Sequence, residues 1–263
     1  MIKEEFSALF ARVDDLLSRA ERGEIGVTRF LSPREEHFLL AYLSQRGLAD
    51  TCFTYGGYDG AERKRAYILP DYIGNPESYS DILPYFDESP IASVRIVGSG
   101  YRKLTHRDYL GSLLSLGIER GVLGDIVLLN TEREEAVLFC DSLIEDFILT
   151  ELKKIASDTV KTESFEVGAD FKAERSFVHI SDTVASPRID CVVAALCSLS
   201  RERARETVIS GCVEVDFESE TSPDRNVSAP AVVSIRGYGK FRINAVSELT
   251  RKGRVRLDAD KYV

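Results

Sequence analysis

At 263 residues the chain is long for one compact unit and short for three large ones, so two or three units fit the length. Its composition, 44% hydrophobic and 29% charged, is that of an ordinary water-exposed protein with real cores, and no apolar run approaches a membrane span. A formal net charge of -9 excludes a nonspecific nucleic-acid coat, because phosphate binding needs positive charge, but leaves room for a local basic patch.

The opening stretch "MIKEEFSALFARVDDLL" is charged and amphipathic, unlike a signal peptide, so a cytoplasmic location without membrane contact is expected. Ile2, Phe6, Leu9, Phe10, Val13, Leu16 and Leu17 recur at helical spacing and predict one helix to about Arg22. "LSPREEHFLLAYLSQRG" predicts a second helix, with Ser32 as cap, Pro33 in the first turn, Glu35 at the capping-box position and Gly47 past the end. "DTCFTYGGYDGAERKRAYILP" then predicts strand, glycine turn and strand. Arg63, Lys64 and Arg65 beside that turn suit either a solvated turn or a second contact with RNA or a partner. The Pro-, Gly- and Asn-bearing run after it closes a first α/β unit, residues 1–87.

From Ile91 the pattern changes. "IASVRIVG" predicts a strand, "THRDYLGSLLSLG" a helix capped by Thr105 and ended by Gly117, and "GDIVLLN" and "EAVLFC" two strands. "SLIEDFILTELKKIAS" predicts a further helix and "TESFEVG" a further strand. Strand, helix, two strands, helix and strand predict a split α+β sandwich of the RNA-recognition-motif-like (RRM-like), or ferredoxin-like, type over residues 88–168. Its strands lack a "K/R-G-F-G-F-V-x-F" run, so base stacking on this sheet has no support. His106, Arg107 and Asp108 invite a catalytic reading, but a capping Thr with an acid three residues on is what a helix start carries.

The last unit, residues 169–263, predicts helices from Pro187 to Cys197 and from Ser200 to Ser210, a stop at Gly211, and strands at Cys212–Phe217 and Ala231–Arg236. Ser200 is a good cap; Arg201 and Arg205, four apart, share one face, and Ala204, Val208 and Ile209 supply the buried side. Two guanidinium forks on one helical surface suit phosphate, since each donates two parallel hydrogen bonds. Arg188 joins them if the two helices pack side by side. "RGYGKF" reads either as a tight glycine turn with Phe241 in the core, or as a backbone that approaches a phosphate with Arg236, Lys240 and Arg242 alongside. Arg251, Lys252 and Arg254 in "TRKGR" read as a basic tail, either disordered or an RNA-seeking arm. From Arg236 to Val263 there are eight Lys/Arg against three Asp/Glu.

Five scattered cysteines without a C-x-x-C pair, and three histidines in separate segments, suit reduced core residues rather than a disulfide framework or metal cluster. No cofactor or metal is expected.

"PRIDCVVAALCSLSRERARETVISGCVEVD" resembles the small RNA-binding domain named after ribosomal protein S-four. The pattern's places are held by Arg188, Ile189 and Asp190, by Ser200 and Arg201, by Ala204, and by Ile209, Gly211, Val213 and Val215. Asp216 stands where the pattern ends in Asn, which keeps a turn former but makes the place anionic. Together with "FLSPREEHFL", "YGGYDGAERKRAYILP", "LTHRDYLGSLLSLGIERGVLGDI" and "SIRGYGKFRI…TRKGR", it makes nearly the whole chain similar to the YlmH family of bacterial proteins. The resemblance implies an S-four domain behind an RRM-like domain, and binding to a large ribosomal subunit that carries obstructed peptidyl-tRNA, in rescue of stalled translation. An older cell-division label also attaches to the family.

Two other classes stay open. S-four domains accompany pseudouridine synthases and RNA methyltransferases, but "VGSGYRKL" lacks the third glycine of a cofactor loop, and Asp190 lies inside the S-four opening rather than in a separate catalytic sheet. A cell-division scaffold would bind protein partners regardless of RNA. The chain is expected to be a noncatalytic factor that binds structured RNA (rRNA, with tRNA as a second candidate) through Arg188, Ser200, Arg201 and Arg205. Arg236, Lys240, Arg242, Arg251, Lys252 and Arg254 strengthen that grip, and the N-terminal units fix orientation or recruit a quality-control partner.

Overall fold

The protein, seen as a computed structural model, is described over residues 5–129, 134–168, 170–173, 177–249 and 254–262. It has a mixed α/β fold with several sheets and, among the described residues, seven α-helices, and it divides into two compact units, residues 1–174 and 175–263.

In the first unit, helix α1 (Ser7–Ala20) buries Val13, Leu16 and Ala20, part of the stripe its periodicity predicts; Ile2 lies outside the described residues. After strand β1 (Gly26–Val27), helix α2 (Pro33–Gln45) starts as its sequence dictates. Ser32 Oγ accepts from the Glu35 amide at 3.3 Å and the Glu35 carboxylate accepts from the Ser32 amide at 2.7 Å. Each bond satisfies a backbone N–H that the helix leaves unpaired, so Ser32→Ala is expected to cost about 1 kcal/mol. Urea unfolding measures it, and an unchanged midpoint would refute the role.

Strands β2 (Cys52–Tyr55) and β3 (Arg65–Ile68) complete an antiparallel sheet in the order β1-β3-β2. Ala66 and Ile68 meet Leu16, Leu39 and Leu43 of the two helices, while Tyr67 and Leu69 pack with Ile82 of the short helix α3 (Tyr79–Ile82) on the other side. The basic cluster beside the glycine turn is not a solvated turn, because each of its cations has partners within the fold. Arg63 donates to the carbonyls of Leu123 (2.9 Å), Phe30 (2.9 Å) and Arg120 (3.2 Å). Arg65 is buried and donates to Thr28 O and Pro90 O, both at 2.7 Å, with Asp141 at 3.0 Å. Lys64 pairs with Glu36 at 3.1 Å. Arg63 and Arg65 thus satisfy carbonyls that packing has taken from water.

A second sheet follows. Strand β4 (Ile91–Val97), helix α4 (His106–Ser115), strands β5 (Leu123–Leu129) and β6 (Glu135–Asp141), and helix α5 (Glu145–Glu151) precede a small hairpin of β7 (Lys154–Ile155) with β8 (Asp158–Thr159), and then β9 (Lys161–Ser164). Neighbours are antiparallel in the order β5-β6-β4-β9. Thr105 and Asp108 form a reciprocal cap on α4, which accounts for that acid without catalysis. Helix α5 is shorter than its apolar period predicts. The chain leaves the helix at Leu152, and Ile155 reaches the same core from β7.

Val94, Ile96, Ala136, Leu138 and Cys140 meet Tyr109, Leu113 and Ile148 on the helical side of this sheet. The opposite side is also filled. Val127, Val137 and Phe139 lie against Tyr58 and Ala61 of the glycine turn and against Phe165 and Phe171. The Tyr58 and Phe139 rings are 4.9 Å apart, and Tyr58 OH donates to Asp125 at 2.7 Å. Gly57 makes this approach possible: its φ is +105°, and a Cβ there would stand 2.3 Å from the Phe139 ring.

In the second unit, strand β10 (Phe177–Val184) is followed by helices α6 (Ile189–Cys197) and α7 (Arg201–Ile209), and it forms one antiparallel sheet with strands β11 (Val213–Val215), β12 (Glu218–Glu220), β13 (Ala231–Ile235), β14 (Gly239–Leu249) and β15 (Val255–Tyr262). Its order is β10-β15-β14-β13-β11-β12. Asp216 (φ 49°) and Phe217 (φ 67°) make the two-residue turn between β11 and β12, and Asp216 Oδ1 accepts from the Val232 amide at 2.8 Å. Asp216 therefore does the turn work expected of it. Helices α6 and α7 cover one face through Ile189, Val192, Val193, Leu196, Ala204 and Val208, against Val213, Val233, Phe241, Ile243 and Leu257. Ile209, expected on the buried side, is 54% exposed, because one residue beyond Val208 the helix has turned by about 100°. Val255–Tyr262 is a paired strand rather than a tail.

All five cysteines are free, and burial pushes the Cys52 and Cys140 thiols up to about 12. No described helix is long and apolar enough to cross a membrane.

Candidate RNA-binding surface

The start of α6 is organised by one carboxylate. Asp190, in the first turn, is 1% exposed. Arg188, the residue before the helix, presents a fork to it, with Nε 3.1 Å from Oδ1 and Nη2 2.8 Å from Oδ2. The same guanidinium pairs with Asp224. Burial by itself would raise the Asp190 carboxyl, but hydrogen bonds from Arg188 and Cys191 and the charges of Arg188 and Arg201 outweigh it and hold the group below the usual carboxylate range.

Arg201 approaches the same carboxylate from the first position of α7, with Nε 3.6 Å from Asp190 Oδ2. Its side chain is 61% exposed, so the guanidinium lies near the carboxylate while most of it faces water. Arg205 is exposed one turn further along the same side of the helix. Glu202 and Glu206 are exposed about 100° further round, so they border this row without entering it. Ser200 caps α7, its Oγ accepting from the Arg203 amide at 3.3 Å. The structure thus brings Arg188 and Arg201 together on Asp190 and sets Arg205 beside them. The side-by-side packing on which Arg188 depended is present.

The other cations lie apart from this row. Lys240 and Arg242 alternate with the buried Phe241 and Ile243 along β14, and so project from the face that the helices do not cover. Lys240 Nζ sits over the Tyr262 ring at 5.0 Å and the Phe217 ring at 5.5 Å. Arg242 pairs with Asp260 at 2.8 Å and lies over Phe177 at 5.0 Å. Hydrogen bonds from Arg242, Asn244 and His179 hold Asp260 well below the usual carboxylate range, so Arg242 meets a fixed negative charge. Arg236 is exposed in the tight turn between β13 and β14, where the Tyr238 amide bonds Ile235 O at 3.0 Å. Arg254 donates to Thr183 O. Arg251 and Lys252 lie outside the described residues.

Asp190 as the anchor of Arg188 and neighbour of Arg201, and the aromatic seats of Lys240 and Arg242, escape sequence reasoning. The S-four pattern contains the aspartate, but only the paired helices show what it holds.

An arginine-bearing helix pair on an antiparallel sheet, preceded in the sequence by another α/β unit, defines a mixed α/β protein. Residues 92–169 match the family model described as "Putative RNA-binding domain in YlmH". The chain is 30% identical over 243 residues to "Ribosome-associated protein quality control protein P2" of Bacillus subtilis, covering 92% of this chain and 89% of that one. The solved structure "Cell division protein ylmH from Streptococcus pneumoniae" is similar with a TM-score of 0.48 at 24% identity, covering 62% of this chain and 92% of that one. The chain belongs to the YlmH family.

Proposed function

We propose that this protein is a noncatalytic, cytoplasmic RNA-binding factor that docks on the large ribosomal subunit during rescue or quality control of stalled translation. The observation that carries this is the arginine row: Arg188 held on the buried Asp190, Arg201 near the same carboxylate, and Arg205 exposed beside them. A guanidinium held in place by a carboxylate, as Arg188 is, meets a phosphate with little loss of side-chain freedom. The Bacillus subtilis relative, named for ribosome-associated quality control, supports the ribosome as the carrier of that RNA.

In this reading, residues 1–87, 88–168 and 169–263 are three functional parts. The β5-β6-β4-β9 order and the strand, helix, strand, strand, helix, strand sequence support an RRM-like middle part, and the α6–α7 pair on its sheet supports an S-four-like last part. Ribosomal RNA is the primary ligand, and peptidyl-tRNA the second. Asp190, the residue on which a synthase reading would rest, is buried and held by Arg188, which favours anchoring over catalysis.

Sedimentation of extract through sucrose gradients at low and moderate salt tests the proposal. The protein is expected to travel with the large subunit at low salt and to dissociate as salt rises. Protein that stays at the top under both conditions would overturn it.

A further inference from the structure

In the β5-β6-β4-β9 sheet, Tyr58, Phe139, Phe165 and Phe171 fill part of the face away from the helices, and on the rest Arg95 is paired with Glu135 and Glu163. If residues 92–169 touch RNA, they do so elsewhere. The loop between β4 and α4 has the required chemistry. Tyr101 is 91% exposed, and Arg102, Lys103 and Arg107 are exposed around it in sequence.

The loop is held at both ends rather than loose. Ser99 donates its amide to Asp158 at 3.0 Å and its hydroxyl to the same carboxylate, and Leu104 is buried in the core with its amide 3.2 Å from a Glu134 oxygen. Between these anchors Gly100, at φ +78°, turns the chain, and Tyr101 projects. Arg102 is steadied by Ser157 at 3.2 Å and by Asp108 Oδ1 at 3.6 Å, and its side chain is still 40% exposed. Arg107 stands in the first turn of α4, where the helix dipole disfavours a cation, so the fold itself gains nothing from its charge. An exposed aromatic pair of this unit, Tyr72 and Tyr85, lies in segments that carry Asp71, Asp87 and Glu88 and would repel phosphate.

We propose that the β4–α4 loop is a second RNA contact, which takes an unpaired nucleotide: Tyr101 stacks on the base while Arg102, Lys103 and Arg107 receive the flanking phosphates. An exposed ring on an anchored loop offers a face that any base can use, and the cations beside it follow the backbone. The site rests on the RNA-binding function proposed above and adds single-stranded RNA to the structured RNA assigned to the second unit.

The test measures anisotropy of a labelled short single-stranded RNA and, separately, of a labelled RNA stem-loop, with the full chain. Tyr101→Ala is expected to weaken single-strand binding about tenfold and leave stem-loop binding unchanged, while Tyr101→Phe keeps both. Lys103→Ala/Arg107→Ala is expected to make the salt slope for the single strand shallower by about 1.4. Wild-type affinity in Tyr101→Ala, or loss in Tyr101→Phe equal to that in Tyr101→Ala, overturns the loop site. So does a wild-type chain that binds the stem-loop and not the single strand. Failure of the wider reading looks different: stem-loop binding that survives Arg201→Ala/Arg205→Ala, or a wild-type chain that binds neither RNA.

Discussion

Replacing Arg201 and Arg205 together by Ala is expected to weaken association with the large ribosomal subunit by about a hundredfold or more at moderate salt, without unfolding the second unit. A hydrogen bond to a charged group contributes about 1.5–3 kcal/mol, so losing one phosphate contact at each residue approaches about 3 kcal/mol, or a little over two decades in affinity. The remaining binding should also depend less on salt, with a slope shallower by about 1.8 for duplex RNA treated like duplex DNA. Stability should move little. Both side chains are exposed, and the 3.6 Å approach of Arg201 to Asp190 is too long and too wet to matter much. Gradient sedimentation with a parallel thermal melt separates the two readouts. Undiminished association with an unchanged melt would remove these residues from the interface. Arg205→Lys is a useful companion, because it keeps the charge and loses the planar fork, so it should recover only part of the affinity.

Asp190→Ala should behave in the opposite way and destabilise the second unit by about 2–3 kcal/mol. Removing one partner of a buried ion pair is costly because the other charge loses its compensation; Arg188 is 29% exposed and keeps Asp224, which places the loss toward the low end. The pH dependence has a definite sign. Since the folded carboxyl lies below its unfolded value near 3.9, its stabilising contribution is complete above that value and is lost as pH falls through the lower folded one. Asp190→Asn should therefore narrow the stability gap from wild type as the solution is acidified below about pH 4. Urea unfolding from neutral pH down to about pH 2 measures this. A constant gap across that range would show that the carboxylate's charge is not what holds the arginines.

The helix starts were legible in the sequence because their causes are local. Ser32 with Glu35, Thr105 with Asp108, and Ser200 each satisfy N–H groups within three residues of themselves. The roles of Arg63 and Arg65 were not legible, because the carbonyls they serve, at Phe30, Leu123, Thr28 and Pro90, are distant along the chain. The end of α5 escaped for another reason: Ile148, Leu152 and Ile155 keep a helical period, yet the core receives Ile155 equally well from a strand. In "VRLDADKY" alternation is visible and means a strand, but the basic count around it points to a tail. At the candidate site the arginines could be named from their pattern, whereas their shared carboxylate required the two helices to meet.

The place of β15 between β10 and β14 has a consequence for the order of events during synthesis. Phe177 through Val184 emerge from the ribosome well before their registered partners, Tyr262 back through Val255, and so does the arginine-bearing helix pair. Until those partners arrive, β10 presents an unpaired edge and the sheet beneath the helices is incomplete. A nascent copy thus carries the helix pair before the sheet beneath it is whole, and that sheet closes only when β15 pairs with both β10 and β14.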